Sequence, residues 1–316
     1  MTESLLTQKR RTESGKLIYS GSQYRIWLQQ TEPSDIKLLI IPGGPGNNHT
    51  GYAPFSYFLP PKGVQVYIVD MVDCGLSDRT NNPAFWTLTN YVKDIEQIRK
   101  ELGVEQLYLL GHSFGGAIAL EYAYAFPQAV KGLIVSNMSY STEAVGINTD
   151  RFVDSLAAHD ATVQGLRTQA KSLESSSNLY SKLMAQSDSL AFNLLSHSQT
   201  PSIGNSLPEL ATFQEAAHSS ELNDASQKIY QHFINSGELM SWNFEDRMHR
   251  LRMPVLILAG DQDYALSVSD AAFMKQHIPK AEVTICPEGG HIMFWTNRDC
   301  YYPSLLKFIN GVEQKK

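Results

Sequence analysis

Gly111-His112-Ser113-Phe114-Gly115-Gly116 is the stretch on which the fold turns. It directly follows the apolar run Gln-Leu-Tyr-Leu-Leu (106–110) and directly opens Ala-Ile-Ala-Leu-Glu-Tyr-Ala (117–123). The first run reads as a buried strand and the second as a helix. A G-x-S-x-G pattern at a strand-to-helix turn is a nucleophile elbow, in which small residues make room for a strained backbone that lifts the serine hydroxyl above a sheet. His112, adjacent to Ser113 in the chain, is badly placed to be its base. A serine hydroxyl becomes nucleophilic only when a base takes its proton, and the base needs a carboxylate to orient it. In this architecture the partners follow in the order Ser, acid, His, each just after a late strand. After the apolar run 255–259 comes Gly260-Asp261-Gln262-Asp263, and after 282–286 comes Pro287-Glu288-Gly289-Gly290-His291. Asp263 is the expected acid, with Asp261 as the alternative. His291 is the expected base, the one histidine of nine immediately downstream of a late strand.

Outward from the elbow, β-type runs alternate with helical stretches. Candidate strands are 16–20, 24–29, 37–41, 64–70, 106–111, 132–136, 255–259 and 282–286, the first two read as an antiparallel hairpin. Helical spacing covers 88–102, where Tyr91, Ile95, Ile98 and Leu102 recur before Gly103, and 114–126, stopped by Pro127. The expectation is an α/β fold, a mostly parallel eight-stranded sheet with helices on both faces. The segment 139–243 carries no convincing strand, is serine-heavy over 172–206, and has helical patterns at 210–217 and 227–233. It is too long for a connecting loop and reads as an inserted helical cap, leaving 1–138 and 244–316 as the core. The turn Ile41-Pro42-Gly43-Gly44-Pro45-Gly46 can bring backbone close to a ligand. Gly44 and Phe114 are the expected oxyanion-hole donors.

Composition excludes other classes. The 316 residues are 42% hydrophobic and 18% charged, with 26 Lys plus Arg against 32 Asp plus Glu, a net charge of −6. That suits a globular core and gives nucleic acid no basic surface. No apolar run approaches the roughly 18 residues of a membrane span, and no apolar segment follows the basic N-terminal residues as in a secretory signal. The three cysteines, Cys74, Cys286 and Cys300, suggest neither a disulfide framework nor a zinc site, and Cys74 reads as a packing residue. No metal spacing or phosphate loop is present, so no cofactor or metal is implied. The expectation is a cytoplasmic monomer or small homo-oligomer whose partner is a small peptide or small molecule.

Together, Gly43-Gly44-Pro45-Gly46, Asp70-Met71-Val72-Asp73-Cys74-Gly75-Leu76-Ser77, the Ser113 elbow, Gly260-x-x-Asp263 and Gly290-His291 resemble the proline iminopeptidases, prolyl aminopeptidases of the α/β-hydrolase fold that include the archaeal tricorn-interacting aminopeptidase. Trp242 and His291-Ile-Met-Phe-Trp295 extend the likeness. The resemblance implies Ser113 as nucleophile, Asp263 and His291 as its partners, Gly44 and Phe114 as oxyanion donors, and a helical cap governing access. It also implies a substrate contact from Glu238, matched through a gap to a cap glutamate that holds the free amine; Tyr264 and Trp295 are further candidate substrate contacts. The chain departs from the pattern at Pro42, where the family has His, and at Tyr264, where the archaeal relative has a glutamate. The implied activity is removal of an N-terminal residue, preferentially proline, through an acyl-enzyme. An esterase, amidase or lactonase acting on a small apolar metabolite with the same triad is the alternative, and a non-catalytic binding module is a third possibility.

Overall fold

The computed structural model describes residues 14–20, 23–174 and 220–315, with positions 177, 179, 183, 184 and 186. The strands are β1 (Gly15–Ser20), β2 (Tyr24–Gln30), β3 (Ile36–Ile41), β4 (Val64–Asp70), β5 (Leu107–His112), β6 (Val130–Ser136), β7 (Val255–Gly260) and β8 (Ala281–Cys286). They form one sheet in the order β1-β2-β4-β3-β5-β6-β7-β8. β1 pairs with β2, and β2 with β4, antiparallel; the other neighbours are parallel. β6 begins two residues before the expected 132 because Val130 pairs with Leu107 across a register shift at Leu107/Tyr108.

Apolar runs in β3 to β7 are continuous because both faces of the sheet are covered. Leu39, Ile41, Leu109, Leu133, Val135 and Ile257 join one core with α2 (Leu88–Glu101), α3 (Phe114–Ala125) and α7 (Val268–His277). Their neighbours Leu38, Ile40, Tyr108, Leu110, Ile134 and Leu256 join a second core with α1 (Ala53–Phe58) and α9 (Arg298–Glu313). This is the period-two alternation of a strand read on both sides. α2 starts where the Thr87 hydroxyl accepts the Asn90 N–H at 3.1 Å. Its Tyr91, Ile95 and Ile98 face the core, and Gly103 (φ 63°) follows its end.

Between β6 and β7 the described chain forms α4 (Thr142–Ala157), α5 (Ala161–Lys171) and α6 (Ser226–Asn235). α6 contains the expected helix at 227–233. The expected helix at 210–217 and most of the serine-heavy stretch lie outside the described residues. α8 (Met293–Thr296) precedes α9.

One expectation from the cysteines is corrected. Cys286, at the end of β8, and Cys300, in the first turn of α9, form a disulfide with their Cα atoms 5.8 Å apart. Fourteen positions separate them in sequence, and the intervening turn and α8 fold the chain back, a proximity that spacing alone does not show. Cys74 is a buried free thiol, pushed up by burial first and the nearby Asp70 carboxylate second.

Candidate active site

The elbow is a steric device. Ser113, between β5 and α3, has φ 52° and ψ −128°, a strained backbone for a residue with a side chain. A Cβ on Gly111 would lie 2.2 Å from the Gly115 carbonyl oxygen, and one on Gly115 would lie 2.2 Å from that of Ile41. Both glycines are therefore required by close backbone approach.

Four adjacent strands each deliver one polar group at their carboxyl ends. β5 leads to Ser113, β6 to Asn137, β7 to Asp263 and β8 to His291. His291 Nε2 is 3.0 Å from Ser113 Oγ, and His291 Nδ1 is 2.9 Å from Asp263 Oδ1. An ionised carboxylate can only accept, so Nδ1 carries the proton and the Nε2 lone pair faces the serine hydroxyl. Asp263 is fully buried at its side chain, whereas His291 is 12% exposed. The carboxylate accepts two more hydrogen bonds, from the Ala265 N–H (3.1 Å) and Asn137 Nδ2 (2.9 Å). Asn137 also donates to the Gly290 carbonyl (3.1 Å), and its Oδ1 accepts from the Ser136 hydroxyl (2.8 Å). The Tyr301 hydroxyl donates in turn to Ser136 Oγ at 3.0 Å.

Asn137, buried with φ 56°, was not found by motif. The available signal is its place directly after a strand that neighbours the strand carrying Asp263. Asp261, the alternative acid, is exposed, and the described bonds to His291 come from Asp263.

Gly44, Ser113 and Phe114 line one cavity of about 780 Å³, walled further by Thr142, Gln227, Tyr230, Leu239 and Tyr264. A second cavity of about 320 Å³ lies on the His291 side, bounded by Asn47, Tyr52, Phe294 and Trp295, with Gly44, Ser113 and Tyr264 shared between the two. The Tyr264 ring lies over His291, centroids 4.4 Å apart, and burial pushes its phenol well above the usual range. Trp295 is anchored by its indole N–H to the Gly51 carbonyl at 2.7 Å.

Glu238 stands apart from the cavities at Ser113. Its Oε1 accepts the Leu88 N–H at 3.0 Å, and it lines a separate cleft with Lys93, Glu121 and Tyr124. The carboxylate caps the positive end of α2 and does not line either cavity at Ser113. Burial raises its pKa.

The turn after β3 is held from below. Asp70 accepts the His49 backbone N–H (2.6 Å), the His49 Nδ1–H (2.7 Å) and the Leu76 N–H (2.8 Å), entirely out of solvent. Among the described residues, no group of three or more His, Cys, Asp or Glu side chains is arranged to hold a metal, and no helix is long and apolar enough to cross a membrane.

A nucleophile, a base, an acid and a flanking glycine turn at the carboxyl edge of this sheet define a class. The chain belongs to the alpha/beta hydrolase fold family, whose model matches residues 37–298. Over most of its length it is similar to proline iminopeptidases. That of Flavobacterium johnsoniae is 26% identical, with 93% of this chain and 96% of the relative covered. That of Saccharolobus solfataricus is 26% identical over 90% and 88%. Among solved structures, the proline iminopeptidase of Mycobacterium smegmatis superposes with a TM-score of 0.75 at 20% identity, covering 96% of this chain and 99% of that one. An esterase from Exiguobacterium antarcticum gives 0.63 at 19% identity, covering 94% and 99%. These two likenesses speak to the fold.

Proposed function

We propose that the protein is a serine hydrolase that removes an N-terminal residue, preferentially proline, from short peptides. The observation that carries this is the continuous hydrogen-bonded series Ser113–His291–Asp263, in a chain similar to proline iminopeptidases over more than nine-tenths of its length. Ser113 Oγ attacks the scissile carbonyl as His291 Nε2 takes its proton. Asp263 holds the imidazole in the required tautomer and stabilises the imidazolium. The backbone N–H groups of Gly44 and Phe114 receive the developing oxyanion. His291 then returns the proton to the leaving amine, and water, activated by the same nitrogen, releases the acyl group. The two cavities that meet at Ser113 take the two sides of the scissile bond, and the excursion between β6 and β7 acts as a cap limiting entry to small substrates.

The test is a pair of arylamides. Prolyl-naphthylamide is cleaved and its N-acetyl derivative is not; equal rates on both remove the aminopeptidase assignment. Hydrolysis of a small neutral ester or amide is the second reading, favoured by the hydrogen bond of Glu238 to the start of α2 and by the tyrosine at 264. Turnover of p-nitrophenyl butyrate without arylamide cleavage selects it. The cytoplasm is the proposed location.

A further inference from the structure

The triad leaves unused a second buried histidine beside the nucleophile. His112 closes β5, is 3% exposed, and touches neither the Ser113 hydroxyl nor Asp263 in the described hydrogen bonds. Its Nε2 lies 2.8 Å from the carbonyl oxygen of His291, and its Nδ1 lies 2.8 Å from the Tyr52 hydroxyl. The Tyr52 oxygen in turn accepts the Gly43 backbone N–H at 2.6 Å.

These bonds have only one consistent direction. A carbonyl oxygen cannot donate, so His112 Nε2 carries a proton. In the neutral ring Nδ1 then accepts, and the hydrogen it accepts is that of Tyr52. The Tyr52 oxygen is left to take the Gly43 N–H. Burial first, then the neighbouring His291, lowers the His112 pKa to about 3, so the neutral form this direction needs is the one present near neutrality. A protonated His112 would reverse the contact at Nδ1, donating to the Tyr52 oxygen and turning the phenolic hydrogen away from the relay. The rings are also boxed in: Tyr52 stacks on Phe294 (5.1 Å, 16°), and the edge of His112 meets the same Phe294 at 5.0 Å.

We propose that His112 and Tyr52 are positioning residues, whose one-way hydrogen-bond relay from Gly43 to the His291 carbonyl holds the oxyanion turn and the catalytic base in one frame on either side of Ser113. Gly43 immediately precedes Gly44, the oxyanion donor, and a Cβ there would lie 2.9 Å from that of Ser113. Movement at either end of the relay is therefore felt at the other. The inference rests on Ser113 being the nucleophile but not on the preference for proline.

The test uses the full chain with Tyr52→Phe, His112→Ala and the double variant. Two quantities are read: the second-order rate of labelling by a fluorophosphonate, and kcat and KM on p-nitrophenyl acetate per titrated site. Each single variant lowers kcat and the labelling rate about tenfold or more, as expected for a lost buried hydrogen bond in the transition-state frame, while KM moves less than about twofold. The double variant is no slower than about threefold below the worse single, because both changes cut one relay. Tyr52→Phe removes a single oxygen from an apolar stack, so it keeps the test open if His112→Ala does not fold. Wild-type kcat per site in Tyr52→Phe, losses that multiply in the double variant, or an effect confined to KM overturns the relay. Wild-type protein that takes up no label overturns the Ser113 reading, and the relay falls with it.

Discussion

Replacing Asp263 by asparagine should abolish most activity while keeping the shape of the side chain. Three donors converge on this carboxylate: the His291 Nδ1–H and Ala265 N–H on Oδ1, and Asn137 Nδ2 on Oδ2. An asparagine offers one oxygen and one NH2. With the NH2 at the Oδ2 position it opposes the amide of Asn137, which cannot turn over because its other groups are held by the Gly290 carbonyl and the Ser136 hydroxyl. With the NH2 at the Oδ1 position it opposes the Ala265 N–H and forces His291 to accept at Nδ1. The ring proton then moves to Nε2, facing the Ser113 hydroxyl 3.0 Å away, and the base has no lone pair left for it. Such a tautomer reversal costs on the order of 10⁴-fold in kcat, about 5 kcal/mol of transition-state stabilisation. The assay is steady-state hydrolysis of an arylamide or nitrophenyl ester by Asp263→Asn, with circular dichroism to verify folding, beside Asp261→Asn as the control. Asp261 is exposed, and its variant should stay within about twofold of wild type. A folded Asp263→Asn protein retaining a tenth of the wild-type kcat, or an Asp261→Asn protein that loses most of it, would refute the assignment.

Asn137→Ala leaves Asp263 Oδ2 without its side-chain donor. A hydrogen bond to a charged group contributes about 1.5–3 kcal/mol, so kcat should fall roughly 10- to 100-fold; an unchanged kcat would remove Asn137 from the site. Glu238→Gln should leave kcat/KM for prolyl-naphthylamide within about twofold, since the carboxylate serves α2; a loss beyond tenfold would return Glu238 to substrate binding. Asp94, buried and hydrogen-bonded by Ser20 and Tyr24, has its pKa raised by burial from 3.8 to about 7. In that interval the folded protein holds a proton that the unfolded chain has released, so stability falls as pH rises from about 4 to about 7, by up to about 4 kcal/mol. Asp94→Asn should flatten the pH dependence of the melting midpoint over that range, and parallel profiles for variant and wild type would contradict it.

Much of this was legible because two physical signals coincide. The runs at 37–41, 64–70 and 255–259 are apolar on both faces, which only a covered parallel strand requires, and Gly111 and Gly115 mark the place where backbones approach too closely for any Cβ. The order Ser113, Asp263, His291 follows from which strands lie side by side. Glu238 was not legible because the N–H groups at the start of α2 compete for its carboxylate, a partner that lies 150 positions away in sequence. The Cys286–Cys300 bond escaped because the chain between them doubles back. Asn137, Tyr52 and His112 escaped because their roles depend on what stands across the sheet edge, and no spacing along the chain records that.

β6 and β7 are immediate neighbours, with Ser136 registered against Leu258. The chain therefore departs from the sheet after Ser136 and comes back one strand away, more than a hundred residues later. Since the two points of attachment are fixed by ladder hydrogen bonds, extra length in the excursion adds little closure entropy, only about 0.6 kcal/mol for each doubling of a flexible loop. Such a detour can be lengthened, shortened or exchanged for another while the four strand ends keep their places. On the proposed reading, the segment that limits entry is thus free to diversify, while the groups at the strand ends beneath it need not be reinvented each time.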